Sequence, residues 1–232
     1  MSKEKSDVRK AFKASIPVMA GYVVIGAGFG IILKTKGYGV IWAVLMSVFM
    51  YSGSMQYVAV NLLASGASLI TTALTTLMVN ARHLFYGISM IDKYKGAGRK
   101  KAYLMFALTD ETYSMLCSDE SIKDVNDRHK YYFFLSLFNQ SYWITGSLIG
   151  SALGSMIPFS TEGIDFALTA LFVTIFVEQW LRVKDHRWAV TGAASSVICL
   201  LIFGSEKFLI PAMVCITAVL LIIKSKELRI NG

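Results

Sequence analysis

The stretch VIWAVLMSVFMYSGSMQYVAVNLL, residues Val40–Leu63, contains no charged side chain at any of its 24 positions. A helix of about 20 apolar residues crosses the roughly 30 Å hydrocarbon core of a bilayer. The stretch lacks a strict alternation of polar and apolar residues and is too long for one barrel strand. Because only helices and closed barrels satisfy their backbone hydrogen bonds in lipid, the stretch predicts a membrane helix.

The rest of the chain repeats this pattern. Of its 232 residues, 55% are hydrophobic and 16% are charged, and the mean hydropathy is +0.54. A soluble domain carries roughly 25% charged residues. Short or charged connections separate eight apolar segments: Ser15–Leu33, Val40–Leu63, Ala67–Met90, Ala102–Cys117, Tyr131–Ile157, Phe166–Leu181, Trp188–Phe203 and Phe208–Ile223. We therefore expect one all-α, polytopic membrane domain over residues 1–232. It would have about seven to eight hydrophobic segments and a charged cytoplasmic N-terminal segment at residues 1–14.

The composition also excludes several classes of protein. The net charge is +8, but the basic residues lie almost entirely between apolar segments, as the positive-inside rule requires. A nucleic-acid footprint would need a basic face with exposed aromatic residues. Cys117, Cys199 and Cys215 lie in apolar segments without metal-ligand spacing, so we expect no disulfide, metal or cofactor. No phosphate-binding GxxxxGK[ST] pattern supports direct ATP hydrolysis, and we expect no enzyme activity.

The distribution of Lys and Arg constrains the orientation. If all eight segments cross, both termini share the side with fourteen basic residues, against eight on the other side. The connection Ile91–Lys101, with five basic residues, then lies on the wrong side. If Ser15–Leu33 and Ala102–Cys117 are instead broken or re-entrant, the balance becomes 21 to 1. Broken helices in corresponding halves of a chain indicate a transporter binding site, and the halves would divide near Ser118–Lys130.

A group of costly polar residues lies inside two of the apolar segments, where a charged group costs about 2.5–3.5 kcal/mol at the helix centre. They are Asn80, Arg82 and His83 in VNARHLFYG, and Asp110 and Glu111 in ALTDETYS. Arg82 near either carboxylate would offset both insertion costs. Such a pair either locks two helices together or lines a substrate or proton path. His83 is either a proton-coupling group or a neutral imidazole bonded to a backbone carbonyl.

An amino-acid substrate needs donors for its carboxylate, acceptors for its ammonium group and an apolar pocket. Gln56, Asn80, Asn139 and Tyr142 could supply the polar part, although each could equally form an interhelical hydrogen bond worth about 0.6 kcal/mol. Gln56 belongs to YSGSMQY, whose small residues allow close backbone approach or an opening of the helix.

The glycines form two groups with different expected uses. Gly26, Gly28 and Gly30, in a segment that also contains Pro17, predict a helix break near a substrate site. In Gly146–Gly154 a glycine recurs every four residues, which favours close helix packing.

With these motifs in view, the chain resembles the AzlC family, the large subunit of bacterial branched-chain amino-acid exporters. The likeness extends from about Lys10 to Ile223. Five motifs carry it in order: GAGFG at Gly26–Gly30, YSGSMQY at Tyr51–Tyr57, NARHLFYG at Asn80–Gly87, LTDETY at Leu108–Tyr113 and DFALTALF at Asp165–Phe172.

This resemblance implies a secondary transporter in the bacterial cell membrane. It would export leucine, isoleucine and valine, with methionine as a further candidate, together with a small hydrophobic AzlD-type membrane subunit. Proton coupling would involve Arg82, His83, Asp110 or Glu111.

Two other functions compete with transport. An intramembrane serine protease would use Ser54 as nucleophile and His83 as base, but no GxSxG elbow is present. A membrane scaffold or sensor that moves nothing would need an effector domain, which this sequence does not show.

Overall fold

The computed structural model describes residues 2–117, 125–154, 173, 176–177, 180–181, 185–204, 208, 211–212 and 214–219. Within these residues the secondary structure is helical, without a strand. The helices are α1 (Ser2–Thr35), α2 (Val40–Phe49), α3 (Gly53–Ala64), α4 (Leu69–Met90), α5 (Lys100–Phe106), α6 (Asp110–Cys117), α7 (Arg128–Leu153) and α8 (Arg187–Phe203). The motif Asp165–Phe172 and most of the predicted segment Phe166–Leu181 lie outside the described residues. The described part does not confirm the count of seven to eight segments.

Helices α1 and α7 pack side by side and run in the same direction. Near their N-termini, Asp7 accepts hydrogen bonds from Asn126 and from the backbone N–H of Asp127. Farther along, a Cβ on Gly26 would lie 2.9 Å from the carbonyl oxygen of Trp143. Gly30, Gly150 and Gly154 face the partner backbone in the same way. The absence of side chains on this seam lets the two backbones approach closely.

The glycines of α1 therefore serve helix packing, and the predicted break at Gly26, Gly28 and Gly30 is wrong. α1 is continuous from Ser2 to Thr35, with Pro17 inside it. Gly26 and Gly30 are buried against α7. A Cβ at either position would collide with the α7 backbone, so only glycine allows this close approach. The predicted packing role of Gly146–Gly154 is confirmed by the same contacts.

Helices α2 and α3 form a hairpin rather than one long helix. Across the turn, Gln56 Nε2 donates to Ser47 Oγ at 3.2 Å. α2 begins close to the C-terminus of α1, and α3 returns to the same end, where Tyr57 contacts Phe29 with ring centroids 5.9 Å apart. The turn of this first hairpin lies near Tyr22, about halfway along α1.

Helices α5 and α6 form a second hairpin, which enters from the other end of the molecule. Its arms reach the same core cluster as Ala11 and Tyr131, near the N-termini of α1 and α7. At its turn, the Thr109 hydroxyl lies 2.7 Å from the Tyr22 hydroxyl. The Lys93 ammonium donates to the last carbonyls of α6, where a cation is favourable. The predicted break in Ala102–Cys117 is therefore confirmed.

The molecule thus has two ends. The basic end holds the N-termini of α1 and α7 and the connection 91–99, and the opposite end holds the connections 36–39 and 65–68. The eight-crossing arrangement is wrong in placing Ile91–Lys101 opposite the N-terminus, because Tyr94 packs with Ala11 in one cluster.

The order of elements repeats with inverted direction. In α1–α3 a long helix leads away from the basic end, and a hairpin follows at the opposite end. In α4–α6 a long helix leads back to the basic end, and a hairpin follows there. This is the pattern of an inverted-topology repeat. These two units divide at 65–68; the expected division of the whole chain near Ser118–Lys130 falls partly outside the described residues.

Within the described residues, one helix is both long and apolar enough to cross a membrane, and two others reach that length. The helix Ser6–Thr35 has 30 residues and a mean hydropathy of 2.1 in its most apolar part, enough to cross a bilayer. α4 and α7 contain 22 and 26 residues, or about 33 and 39 Å of helix at 1.5 Å per residue. α4 also exposes a row of large apolar side chains: Leu69, Ile70, Leu74, Leu77, Leu84 and Ile88.

Candidate functional site

The turns of the two hairpins meet at a cavity halfway between the ends. In this conformation the cavity volume is about 30 Å³, enough for a water molecule and well below the roughly 300–1,000 Å³ of small-molecule sites, so a larger ligand would have to separate the two turns. The lining residues come from α1, α4, α7 and both hairpins: Tyr22, Ile25, Tyr51, Ser52, Gly53, Ser54, Arg82, His83, Thr109, Asp110, Glu111 and Trp143. Both charged and apolar groups therefore face one space.

Arg82 of α4 links the two hairpin turns. Arg82 Nη2 lies 3.1 Å from Asp110 Oδ2, and the same nitrogen donates to Ser54 Oγ at 2.5 Å. The side chains of Arg82 and Asp110 are 26% and 16% exposed. Of the two carboxylates that the sequence offered to Arg82, the structure pairs it with Asp110. The cost of placing either charge at this depth is offset by the other.

Two helix N-termini are directed at the cavity. α3 begins at Gly53 and α6 at Asp110, and both residues line the space. The first backbone N–H groups of a helix have no partner within it and carry partial positive charge. In α6 the acidic Asp110 and Glu111 occupy this first turn. α3 has neither an acidic residue in its first turn nor a side-chain cap within the described part of the chain, so it favours an anionic ligand group.

The first hairpin turn is held in a strained conformation. Tyr51 has φ +37°, in the left-handed region that costs an L-residue roughly 1–2 kcal/mol. Surrounding contacts hold this conformation. The Tyr51 ring is buried, with its centroid 6.3 Å from that of Phe106, and the hydroxyl of the neighbouring Ser52 donates to Asn80 at 2.7 Å. Strain of this kind concentrates at functional sites, and here it marks the point where the two hairpins touch.

Glu111 occupies a different environment from its neighbour Asp110. The Tyr22 hydroxyl donates to Glu111 Oε2 at 2.5 Å and also lies within bonding distance of Thr109. Within the described residues no basic side chain forms an ion pair with Glu111. Two adjacent carboxylates thus differ in their partners, one bound to a guanidinium and the other to a phenol.

None of the four predicted polar substrate ligands is among the residues that line the cavity. Gln56 lies behind it, where its amide accepts from Trp143 Nε1 at 2.7 Å, and Asn80 orients Ser52. Asn139 is buried and donates to Thr112 at 3.0 Å. Their structural contacts are the interhelical hydrogen bonds that the sequence analysis offered as the alternative.

The structure places two other predicted ligand groups away from the lining. The Tyr142 hydroxyl contacts Ser15 at 2.9 Å. Gly26 and Gly30 face α7, as described above.

The geometry does not form a serine–histidine dyad. Ser54 Oγ accepts from Arg82, whereas His83 Nδ1 lies 3.3 Å from the carbonyl of Asn80. A nucleophile needs a base within about 2.6–3.2 Å. The contact of His83 with a backbone carbonyl is the alternative to proton coupling that the sequence left open.

Tyr22 and Thr109 line the cavity but were not among the site residues predicted from the sequence. Tyr22 is one polar group in a long apolar helix, and nothing local distinguishes it from an interfacial tyrosine. Thr109 directly precedes Asp110, and its Oγ accepts from the backbone N–H of Thr112 at 3.3 Å. A threonine directly before acidic residues is a typical N-cap sequence, so the start of α6 could have been predicted from the sequence.

Comparison with known proteins identifies the family. The model described as AzlC protein matches residues 17–157. The branched-chain amino acid transport protein AzlC of Bacillus subtilis (strain 168) is 44% identical over 93% of this chain and 85% of its own length. An uncharacterized membrane protein of Helicobacter pylori (strain J99) is 41% identical over 95% and 98%, and the inner membrane protein YgaZ of Escherichia coli (strain K12) is 24% identical over 88% and 85%. No solved structure matches. The chain therefore belongs to the AzlC family.

Proposed function

We propose that this chain is a secondary transporter that exports leucine, isoleucine and valine from the bacterial cell, coupled to protons and together with a small AzlD-type membrane subunit. The name of the Bacillus relative, a branched-chain amino acid transport protein, supports this substrate class. The cavity at the hairpin turns supports it independently, because it combines both charges of an amino acid with an apolar wall.

The Arg82–Asp110 pair is the observation that carries the proposal. A zwitterion would enter at this pair as the hairpin turns separate, with its carboxylate toward Arg82 and the N-terminus of α3, and its ammonium group toward Asp110. Discontinuous helices present their N-termini to anionic substrate groups in the same way in other transporters. The side chains of Ile25, Tyr51 and Trp143 then face the branched aliphatic group.

The two-ended fold supports movement across a membrane. α1, α4 and α7 would cross the bilayer, and the two hairpins would enter it from opposite sides. The residues 1–13, 91–101 and 118–130 contain thirteen Lys and Arg, whereas 34–39 and 64–66 contain two. The positive-inside rule therefore places the basic end, with the N-terminus, in the cytoplasm.

Recognition of the zwitterion can be tested by ligand-dependent thermal stability of the purified chain. Leucine, isoleucine and valine should raise the melting temperature with increasing concentration, since a ligand that binds only the folded state stabilises it. 3-Methylbutylamine lacks the carboxylate and 4-methylpentanoate lacks the ammonium group, so neither should do so at equal concentration. Equal stabilisation by either analogue would contradict recognition of both charges.

A further inference from the structure

The two carboxylates at the start of α6 have unequal chances of changing protonation. Asp110 pairs with the Arg82 guanidinium 3.1 Å away. Glu111 has a phenol as its closest polar partner, at 2.5 Å. Arg82 and Asp110 together are neutral, so an ionised Glu111 leaves the cavity with one uncompensated negative charge. Burial disfavours that charge, and protonation of Glu111 removes it.

A chain of hydrogen bonds leads away from Glu111. The Tyr22 hydroxyl contacts Thr109 Oγ1 at 2.7 Å, Thr109 donates to Thr112 at 3.1 Å, and Asn139 donates to Thr112 at 3.0 Å. Tyr22, Thr112 and Asn139 are buried. The chain therefore connects α6 to α1 on one side and to α7 on the other, out of contact with water.

Each hydroxyl in this chain can donate only one hydrogen, so the chain has two consistent directions. In the structure Tyr22 donates to Glu111, whereas Thr109 and Asn139 both donate to Thr112. With Glu111 ionised, a continuous run from Asn139 to the carboxylate needs the two threonine hydroxyls to rotate, so that Thr112 donates to Thr109 and Thr109 to Tyr22. With Glu111 protonated, donation runs from the carboxyl group back to Asn139, whose amide then turns its oxygen to Thr112. In the structure, Asn139 Oδ1 is buried and has no hydrogen-bond partner within the described residues, so this acceptor is available.

The groups that face Glu111 come from every neighbouring element. They are Tyr22 on α1, Tyr51 at the first hairpin turn, Arg82 and His83 on α4, and Asp110 and Thr109 on its own hairpin. Arg82 is engaged by Asp110, and His83 Nδ1 is turned to the carbonyl of Asn80. Tyr22 is thus the group that responds directly to the protonation of Glu111.

We propose that Glu111 binds and releases the coupled proton, whereas the Arg82–Asp110 pair holds the amino acid. This assignment rests on the proposed transport function. In the step itself, the O–H bond of the Glu111 carboxyl group breaks and the proton passes to water on the side to which the cavity is open. The same bond forms again with a proton from the other side. Reversal of the hydrogen bonds between Tyr22 and Asn139 transmits this change to α1 and α7, the two closely packed helices of the fold.

The test uses the full chain in liposomes, reconstituted with its small subunit, and two measurements of labelled leucine. Exchange against unlabelled leucine at equal pH needs no net proton movement, whereas accumulation driven by a pH gradient does. In Glu111→Gln, exchange should fall much less than accumulation, because exchange needs no net proton movement. Gradient-driven accumulation should fall by roughly a hundredfold or more, as when a proton-transferring group is removed.

The outcomes separate this assignment from the proposed function. Gradient-driven accumulation by Glu111→Gln, or loss of its exchange as well, overturns the role of Glu111. Wild-type protein that exchanges leucine but never accumulates it contradicts proton coupling as a whole. Wild-type protein that does not exchange leucine contradicts transport.

Tyrosine variants give a second test that does not depend on Glu111→Gln. Tyr22→Phe removes the first hydroxyl of the chain and should shift the pH at which exchange is half-maximal. Tyr103→Phe is the matched control, because its hydroxyl donates to Gln140 at 2.8 Å, outside the chain. An unshifted pH profile in Tyr22→Phe, or the same shift in Tyr103→Phe, overturns the assignment.

Discussion

Neutralising the Arg82–Asp110 pair separates its contribution to stability from its contribution to transport. Breaking a buried ion pair by removing one partner costs about 3–5 kcal/mol, because the other charge stays buried and uncompensated. With side chains 26% and 16% exposed, solvent screening reduces this to about 2 kcal/mol for Arg82→Gln or Asp110→Asn. For a protein of this size, that corresponds to a fall in melting temperature of about 4–8 °C.

The double variant is expected to behave differently in the two assays. Arg82→Gln with Asp110→Asn leaves no uncompensated charge, so it should be more stable than the sum of the single effects predicts, with a coupling energy of about 2 kcal/mol. Transport of leucine should be lost in all three variants, because a zwitterion needs both charges. Thermal unfolding in detergent and leucine exchange in liposomes measure the two effects on the same samples.

A second ion pair provides the matched control. Arg187 donates to Asp185 at 2.8 Å, and hydrogen bonds from Arg187 lower the pKa of Asp185 to about 2, so the pair stays charged at assay pH. Both side chains are exposed, and their neutralisation should change neither stability nor transport. A double Arg82→Gln, Asp110→Asn variant that transports leucine at the wild-type rate would refute the reasoning. The pair would then only lock the hairpin turns to α4.

Three further predictions concern helix packing and topology. Gly26→Ala should lower the free energy of unfolding by about 1–3 kcal/mol, because the new Cβ would lie 2.9 Å from an α7 carbonyl. Gly192→Ala, whose Cβ would have no atom within 4 Å, should not lower it, and thermal unfolding of both variants tests this difference. Asp7→Ala should cost about 1–3 kcal/mol, because two backbone N–H groups at the start of α7 lose their charged acceptor, and an unchanged melting temperature would refute it. In a cysteine-free background, Lys36→Cys should react with an impermeant maleimide in intact cells and Lys95→Cys only after permeabilisation; labelling of both from one side would contradict the hairpin topology.

Much of the fold could be predicted from hydropathy and charge. The long apolar segments predict helices because lipid permits few alternatives, and the five basic residues of Ile91–Lys101 already indicate an error in the eight-crossing arrangement. The break in Ala102–Cys117 was predictable because Asp110 and Glu111 are costly in a continuous span. The positions of the charged residues therefore allow much of the topology to be predicted.

The first hairpin could not be predicted in the same way. Val40–Leu63 has no charge to mark its turn, and only Ser52-Gly53-Ser54 indicates that the helix could open there. The turn depends on distant contacts, such as Gln56 with Ser47 and Ser52 with Asn80. The glycines of α1 were misinterpreted for a related reason, because a glycine that breaks a helix and one that admits a neighbouring backbone look alike in sequence.

The charged residues of the site could be predicted from the free energy needed to place them in a membrane, but their spatial arrangement could not. Arg82 and Asp110 are expensive at membrane depth, so their pairing follows from free energy alone. Tyr22 and Thr109 cost little, and their importance lies in the position of α1 relative to the second hairpin. Polar residues such as Gln56 and Tyr142 are cheap enough to serve as ordinary interhelical contacts, and that is where the structure places them.

Efflux from intact cells tests the central claim most directly. Cells are preloaded with dipeptides of leucine, isoleucine or valine, and release of the free amino acids is followed with and without the chain and a co-expressed AzlD-type subunit. The account predicts rapid efflux that requires the wild-type chain and is absent with Asp110→Asn at equal membrane abundance. Efflux unchanged by removal of the chain, or equal in Asp110→Asn, would contradict it.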